Sequence, residues 1–259
     1  MAVNDAYRAG WLDGKQYDAL RAADFQRFCE AASRDLRAHV PTCPEWDVTA
    51  LCDHLARVYQ GRSHVIVHSE FIDREAFETR PDGDDPLAWV RRWSDTLDDA
   101  LSARDDDTAT ITFMPEADTV HFWRRRMALE TLVHRTDAEI AQGDVSAMDD
   151  ELSADGVDEL LWFGSHPEND DDDGVDGPSV VALTDGTRTW VVECARTGLG
   201  RASATSPDVT VRGSAPALLL ALTGRDIEGI GAPRFGVEAP LVEGDPAAWE
   251  RLRRRLGEF

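Results

Sequence analysis

The hydrophobic residues in the first part of the chain are spaced as in amphipathic helices. Apolar positions recur every three or four residues in four segments, which are separated by stretches rich in proline, glycine and aspartate. Asp47 is a suitable N-cap for the second segment, and Gly143 is a suitable C-cap for the fourth. Four helices with short or medium connections predict an antiparallel bundle. The predicted helices cover about 20–36, 47–69, 87–101 and 119–142.

After Gly143 the pattern changes to short apolar runs that are typical of strands, mixed with helices. Asp185-Gly186 joins two of these runs, which predicts a β-hairpin. The expected fold class is α+β, with a helical domain over residues 1–147 and a small α+β domain over residues 148–259. The predicted strands cover 179–184, 187–194, 198–205 and 208–212, and the predicted helices cover about 153–163, 215–223 and 246–256.

The charge of the chain changes the list of possible partners. Its 259 residues include 50 acidic and 27 basic side chains, which gives a net charge of −23. Phosphate backbones and anionic membrane surfaces would repel such a protein, so neither nucleic acid nor membrane is an expected partner. A small anionic ligand bound in a local basic pocket remains compatible with this charge.

Two further features indicate a cytoplasmic protein. No run approaches the 18 or so apolar residues of a membrane span, and residues 1–18 lack the charged and apolar regions of an export signal. The four cysteines show no CxxC spacing, so we expect reduced thiols. The acidic segment 168–176 contains a partial match to a calcium loop, Asn169 to Gly174. Val180 stands where that loop needs a bidentate glutamate, which argues against calcium.

Three residues of the predicted bundle have the chemistry of a metal site. Glu130 and His134 are four residues apart, so a helix presents both side chains on one face, one turn from each other. His54 lies at the edge of the inward stripe of the second helix and could supply a third ligand. This donor set suits zinc or another divalent transition metal with open coordination positions. An exposed electrostatic pair between Glu130 and His134 is the alternative.

Two segments around these residues resemble the mycothiol-dependent maleylpyruvate isomerase family, which belongs to the wider DinB-like four-helix-bundle superfamily. The first is its N-terminal signature, Val40-Pro41-Thr42-Cys43-Pro44-Glu45-Trp46-Asp47-Val48, followed by Leu51 and Asp53-His54-Leu55. The second is the segment Ala128 to Ala138. Three C-terminal motifs, Asp208 to Gly213, Leu222 to Arg225 and Val242 to Asp245, are similar to the α+β domain of these enzymes, itself likened to sterol carrier proteins.

The resemblance implies a site and its chemistry. His54, Glu130 and His134 fall on the family's zinc-ligand positions, and Arg225 falls on an arginine implicated in activity. The implied metal is zinc, and the implied cosubstrate is mycothiol, whose thiolate would attack a small electrophile. Arg225 would then pair with a substrate carboxylate, with a structural ion pair as the alternative. Thr223 departs from the family pattern, where a tryptophan commonly precedes the Gly-Arg pair.

Three functions therefore stay open at this point. The first is a metal-dependent isomerase or S-transferase that uses a low-molecular-weight thiol and a small electrophile. The second is a metal-dependent hydrolase with the same three ligands. The third is a binding protein without catalysis. The chain's own cysteines are not needed as nucleophiles, and we expect Cys52 to face away from the metal and Cys43 and Trp46 to have a packing role.

Overall fold

The described part of the chain divides into a helical unit and a mixed unit of strands and helices. The computed structural model describes residues 12–114, 116–166, 177–195, 198–202, 206–225 and 237–256. One compact unit comprises Leu12–Ser146, and the other begins at Ala147. The predicted α+β fold class is confirmed. The acidic segment 168–176, with the rejected calcium loop, lies outside the described residues.

The helical unit contains the four predicted helices. Helix α1 packs chiefly on α4, α2 packs chiefly on α3, and α2 also contacts α4. A short 3-10 helix, Arg74–Ala76, lies between α2 and α3. The four helices are α1 (Gly14–Ala32), α2 (Val48–His68), α3 (Pro86–Ser102) and α4 (Val120–Gln142).

Local capping explains where these helices begin and end. The Asp47 carboxylate accepts a hydrogen bond from the Ala50 N–H at 2.8 Å, which starts α2 where predicted. Gly143 ends α4 in the left-handed conformation at φ 75°. Helix α1 begins earlier than predicted because Asp13 and Gln16 form a capping box. It also ends earlier, at Ala32, well before the prolines that were expected to stop it.

Helix α4 lies in the interior of the helical unit. Every residue from Phe122 to Ile140 is buried, including three consecutive arginines, Arg124–Arg126. A buried charge is costly unless a partner compensates it. Arg135 illustrates the compensation, because its guanidinium lies 3.2 Å from Asp24 on α1 and 2.7 Å from Glu139 on α4.

In the residues that the structure describes, the mixed unit contains one five-stranded sheet. The strand order is β3-β2-β1-β4-β5, with β1 and β4 parallel and the other neighbouring pairs antiparallel. The strands are β1 (Ser179–Thr184), β2 (Thr189–Ala195), β3 (Gly198–Arg201), β4 (Val209–Arg212) and β5 (Leu241–Gly244). The helices are α5 (Asp150–Gly164), α6 (Ala215–Leu222) and α7 (Pro246–Leu256).

The predicted hairpin joins β1 and β2. Gly186 adopts φ 90°, and the Asp185 carboxylate accepts hydrogen bonds from the N–H groups of Thr187 and Arg188. Strand β2 starts at Thr189 and not at Thr187, because those N–H groups are used inside the turn.

Strand β5 is absent from the sequence prediction. Leu241–Gly244 is short, and its side chains are exposed or half-buried, so it lacks the alternation that marks a strand. Pairing with β4 creates it, and the Arg212 guanidinium contacts Glu243 across the pair at 2.7 Å. Among the described helices, none combines the length and the apolar character that a membrane span requires.

Replacement of Gly143 tests the left-handed end of α4. A Cβ atom at this position meets no other atom within 4 Å, so the cost of Gly143→Ala comes from the backbone conformation alone. We expect the free energy of unfolding to fall by about 1 kcal/mol in urea denaturation followed by circular dichroism. Gly143→Asn is the matched control and should cost less, because asparagine tolerates this conformation. Equal losses for both variants would contradict this account.

Candidate metal centre

His54, Glu130 and His134 converge on one point in the helical unit. Each offers one ligand atom, and these atoms lie within 4.8 Å of one another. Glu130 Oε1 is 3.5 Å from His54 Nε2 and 3.2 Å from His134 Nε2. Within the described ranges this is the one group of three or more histidine, cysteine or carboxylate side chains with such a geometry. The structure therefore brings together the three residues that the sequence singles out.

A side chain from the same helix orients His134. The Nδ1 atom of His134 is 2.9 Å from Asp137 Oδ2, and Asp137 is fully buried. The Thr42 hydroxyl donates to the other oxygen of Asp137 at 2.6 Å. An ionised carboxylate can only accept, so Nδ1 carries the proton in the neutral imidazole. His134 therefore directs the lone pair of Nε2 towards Glu130.

The electrostatics of the cluster favour an ionised carboxylate between two histidines. Burial alone would raise the pKa of Glu130, but the Arg126 guanidinium and the two imidazoles hold that pKa well below its ordinary value. Burial lowers the pKa of His54 despite the nearby carboxylate. Burial also opposes the charge on His134, but the hydrogen bond to Asp137 and the attraction of Glu130 outweigh it and raise the pKa.

Two buried nitrogens lack the partners that a buried polar atom normally has. In the described part of the chain, the Nε2 atoms of His54 and His134 make no hydrogen bond, although both are shielded from solvent. Each nitrogen faces the same carboxylate oxygen. Two imidazole nitrogens and one carboxylate oxygen at these distances are the donor atoms that a divalent cation would bind. The donor set therefore fits a divalent metal ion.

Arg126 is a neighbour of the cluster that sequence reasoning missed. It lies one turn before Glu130 on α4, and its Nη2 donates to Glu130 Oε2. The two residues are each 8% exposed. The carboxylate therefore turns one oxygen towards the histidines and the other towards the guanidinium. The spacing of four residues was the available signal, but it is equally that of an ordinary surface ion pair.

The segment before α2 forms one wall of this site. The ring of Trp46 packs on His54 with centroids 4.7 Å apart and lies 6.4 Å from the His134 ring. Backbone hydrogen bonds close the turn, from the Val40 N–H to the Trp46 carbonyl and from the Trp46 N–H to the Cys43 carbonyl. We call residues Val40 to Trp46 the corner segment. Trp46 thus lies against the two histidines of the cluster, and Thr42 contacts Asp137, the residue that orients His134.

The cysteines take no part in the three-residue cluster. Cys52 is fully buried, and burial raises the pKa of its thiol to about 12. Such a thiol is a poor nucleophile at neutral pH. Cys43 is a half-buried cysteine in the corner segment.

A comparison with family models decides the relationship of the helical unit. Residues 19–139 match the model of the mycothiol maleylpyruvate isomerase N-terminal domain. The helical unit is therefore similar to this N-terminal domain. The resemblance indicated by the sequence motifs is thereby confirmed, and the domain contains His54, Glu130 and His134 within the matched residues.

Solved structures of the family share the fold beyond this domain. One, a mycothiol-dependent maleylpyruvate isomerase, is 13% identical and has a TM-score of 0.56, with 83% of this chain and 90% of that chain covered. A histidine-to-alanine mutant of the mycothiol-dependent maleylpyruvate isomerase is 12% identical and also has a TM-score of 0.56, with coverages of 84% and 91%. At this identity the likeness shows a common fold. Comparison with curated proteins finds no match.

Arg225, the remaining residue that the mycothiol-dependent maleylpyruvate isomerase resemblance implicates, lies in the mixed unit. It follows α6 and is 3% exposed. Its Nη1 donates to the Thr223 carbonyl at 2.6 Å. Thr223, where the family pattern has tryptophan, instead donates its hydroxyl to the Leu219 carbonyl at 3.0 Å. The end of α6 thus holds the Arg225 guanidinium in a defined place.

The tautomer of His134 provides a test of the Asp137 contact in metal-free protein. In Asp137→Asn the side-chain amide can donate to Nδ1, so we expect the Nε2-protonated tautomer to increase. The pKa of His134 should also fall, because the carboxylate that favours the imidazolium is removed. Nitrogen NMR of the imidazole ring measures both quantities. Asp144→Asn, an exposed change in the same unit, is the control, and an unchanged His134 tautomer in Asp137→Asn would refute this role.

Proposed function

We propose that this protein is a metal-dependent thiol enzyme that acts on a small electrophile. His54, Glu130 and His134 would hold a divalent cation, and the thiol would be a low-molecular-weight cosubstrate. The observation that supports this most directly is the convergence of two buried Nε2 atoms, both without hydrogen bonds in the described residues, on one ionised carboxylate oxygen.

Zinc is the cation that we propose for this site. Two imidazole nitrogens and one carboxylate oxygen are a donor set that catalytic zinc uses, with a further position left for water or substrate. Carboxylates alone would favour magnesium or calcium, and thiolates would favour a structural zinc or a cluster. The contact between Asp137 and His134 also fits zinc, because a histidine ligand usually donates its other ring N–H to a carboxylate or a carbonyl.

Mycothiol is the thiol that the family relationship supports. A cation held by the three residues would stabilise a bound thiolate over the thiol, and the thiolate is the nucleophile. The protein's own thiols should not compete with mycothiol for the electrophile. Cys52 meets this requirement, because its thiol is buried and burial raises its pKa.

The reaction that we propose begins with addition of the thiolate sulfur to an electrophilic carbon. On a cis carbon–carbon double bond, the new C–S bond leaves a single bond that can rotate. Cleavage of the C–S bond then restores the double bond in the trans form and returns the thiolate. If the adduct is protonated and released instead, the same first step is an S-transfer. Both outcomes use the same residues.

Arg225 is the residue that we propose for binding a substrate carboxylate. A guanidinium is always charged and matches a carboxylate with two parallel hydrogen bonds. Its burial and its bond to the Thr223 carbonyl give it the fixed position that such a role requires. The alternative, a structural ion pair, makes a different prediction for the variants described below.

Removal of one ligand tests the metal-dependent thiol activity. Metal analysis of purified protein should find one divalent cation per chain, and His54→Ala, Glu130→Gln or His134→Ala should lose it. In these variants, turnover of mycothiol with a panel of electrophiles, measured by mass spectrometry, should fall by more than about 100-fold. This exceeds the loss expected when a residue that only supports a ligand is replaced. His121→Ala, a histidine on the same helix α4 outside the cluster, is the matched control.

Three results would overturn this assignment. Retention of both metal and turnover in His54→Ala would remove the proposed site. Product formation without any thiol would indicate the hydrolase, since a metal-bound hydroxide needs no sulfur nucleophile. Stoichiometric binding of the electrophile or thiol without product would indicate a binding protein.

Replacement of Arg225 separates substrate binding from structural support. With an electrophile that carries a carboxylate, Arg225→Gln should lower kcat/KM by about 10- to 100-fold, because it removes charge-assisted hydrogen bonds to the substrate. The metal content should not change. Arg188→Gln, which removes an exposed charge from the β1–β2 turn of the same unit, should have no effect. If Arg225→Gln lowers the Tm and leaves the activity per folded molecule intact, its role is structural.

A further inference from the structure

Two further histidines lie next to each other near the end of α2. His64 and His68 are four residues apart, so the helix presents both imidazoles on one face, one turn from each other. Their ring centroids are 4.5 Å apart, and the ring planes are tilted by 41°. The pair lies apart from the candidate metal centre, because the ten residues of helix from His54 to His64 correspond to about 15 Å along the axis.

One nitrogen of this pair is buried without a partner. In the part of the chain that the structure describes, His64 Nε2 is shielded from solvent and makes no hydrogen bond. Such an atom is costly unless a ligand satisfies it. His64 as a whole is half-buried, whereas His68 is exposed. The exposed His68 ring can therefore rotate and let an ion reach the His64 nitrogen from solvent.

The position of the pair on the helix favours a cation. His68 is the last residue of α2, and the carbonyl groups at the C-terminus of a helix carry partial negative charge. The Arg104 guanidinium opposes a cation here, since its Nη2 donates to the Val67 carbonyl at 3.3 Å.

The type of donor decides which cations the pair can hold. Mg²⁺ and Ca²⁺ prefer oxygen ligands, so they would gain little from two imidazoles near an arginine. Imidazole nitrogens are good ligands for Cu²⁺, Ni²⁺ and Zn²⁺, and affinity for these ions is greatest for Cu²⁺.

We propose that His64 and His68 form a second metal site, which binds a divalent transition metal ion through one nitrogen of each imidazole. The ligand class is Cu²⁺, Ni²⁺ or Zn²⁺, and His64 contributes its Nε2 atom. A bound ion joins the last two turns of α2 and thereby restrains the end of the helix. This inference goes beyond the proposed function and does not depend on it, because the site uses none of the three residues of the candidate metal centre.

Copper titration of the untagged full chain tests this site. The protein first receives one equivalent of Zn²⁺, and Cu²⁺ binding is then measured by calorimetry, with pulsed EPR to count the imidazoles on the bound ion. We expect one Cu²⁺ per chain with two imidazole ligands. His64→Ala and His68→Ala should each weaken its binding by at least about 100-fold, because two linked donors bind far more tightly than one. His39→Ala, which removes an exposed histidine of the same unit, is the matched control and should bind Cu²⁺ as the unmodified protein does.

A variant of the candidate metal centre identifies the source of the copper signal. The signal from two imidazoles should persist in His54→Ala, whether or not that centre binds metal, and should disappear in His68→Ala. The reverse pattern would place the copper at the candidate centre and refute the second site.

Three other results would overturn the proposal. They are no Cu²⁺ binding at the pair, a bound ion with a single imidazole, or equal loss of affinity in His39→Ala and His68→Ala, which indicates unspecific binding to surface histidines. Each would leave the two rings as a packing contact. If His64→Ala does not fold, His68→Ala decides, because it changes an exposed side chain.

Discussion

The burial of α4 is the constraint on which the helical unit depends. Its polar side chains cannot turn to solvent, so other parts of the chain must compensate their charges. Asp18 and Asp106 contact Arg124, and Asp24 contacts Arg135, which ties α1 and the segment before α4 to this helix. The same requirement applies at Glu130, where Arg126 compensates one oxygen and two imidazoles face the other. The candidate site is thus part of a buried ionic network, in which one carboxylate oxygen faces two imidazole nitrogens.

The corner segment connects the most recognisable sequence motif to this network. Within this segment, Thr42 supports Asp137 and Trp46 covers His54. Asp47, the residue that follows it, starts the helix that carries His54. Pro41 and Pro44 restrict the backbone of this segment. The motif is therefore best explained as the part of the chain that fixes the relative positions of α2 and α4 at the site.

Local signals explain why much of the fold can be predicted from the sequence. The limits of α2 and α4 depend on Asp47 and Gly143, whose effects are confined to a few neighbouring residues, and the hairpin depends on Asp185-Gly186. Glu130 and His134 were also accessible through their spacing, and His54 through its place on α2 and through the family resemblance. The sequence does not show that the polar residues of α4 are buried, and this is why Arg126 and Asp137 were missed. Their spacings are those of ordinary helical ion pairs, and only the packing around α4 removes them from solvent. Strand β5 was missed because its pairing with β4 makes it a strand, and its own sequence shows no strand pattern.

The sheet of the mixed unit ends in two short strands. Both β3 and β5 are four residues long, and β5 stops at Gly244, which adopts φ 115° and lies against the Asp208 carbonyl so closely that a Cβ atom would be 2.3 Å from it. A second copy of the chain could therefore form only a few backbone hydrogen bonds at either edge. Short edges of this kind disfavour intermolecular β-pairing, and they protect a protein with an exposed Leu241 from aggregation through its sheet.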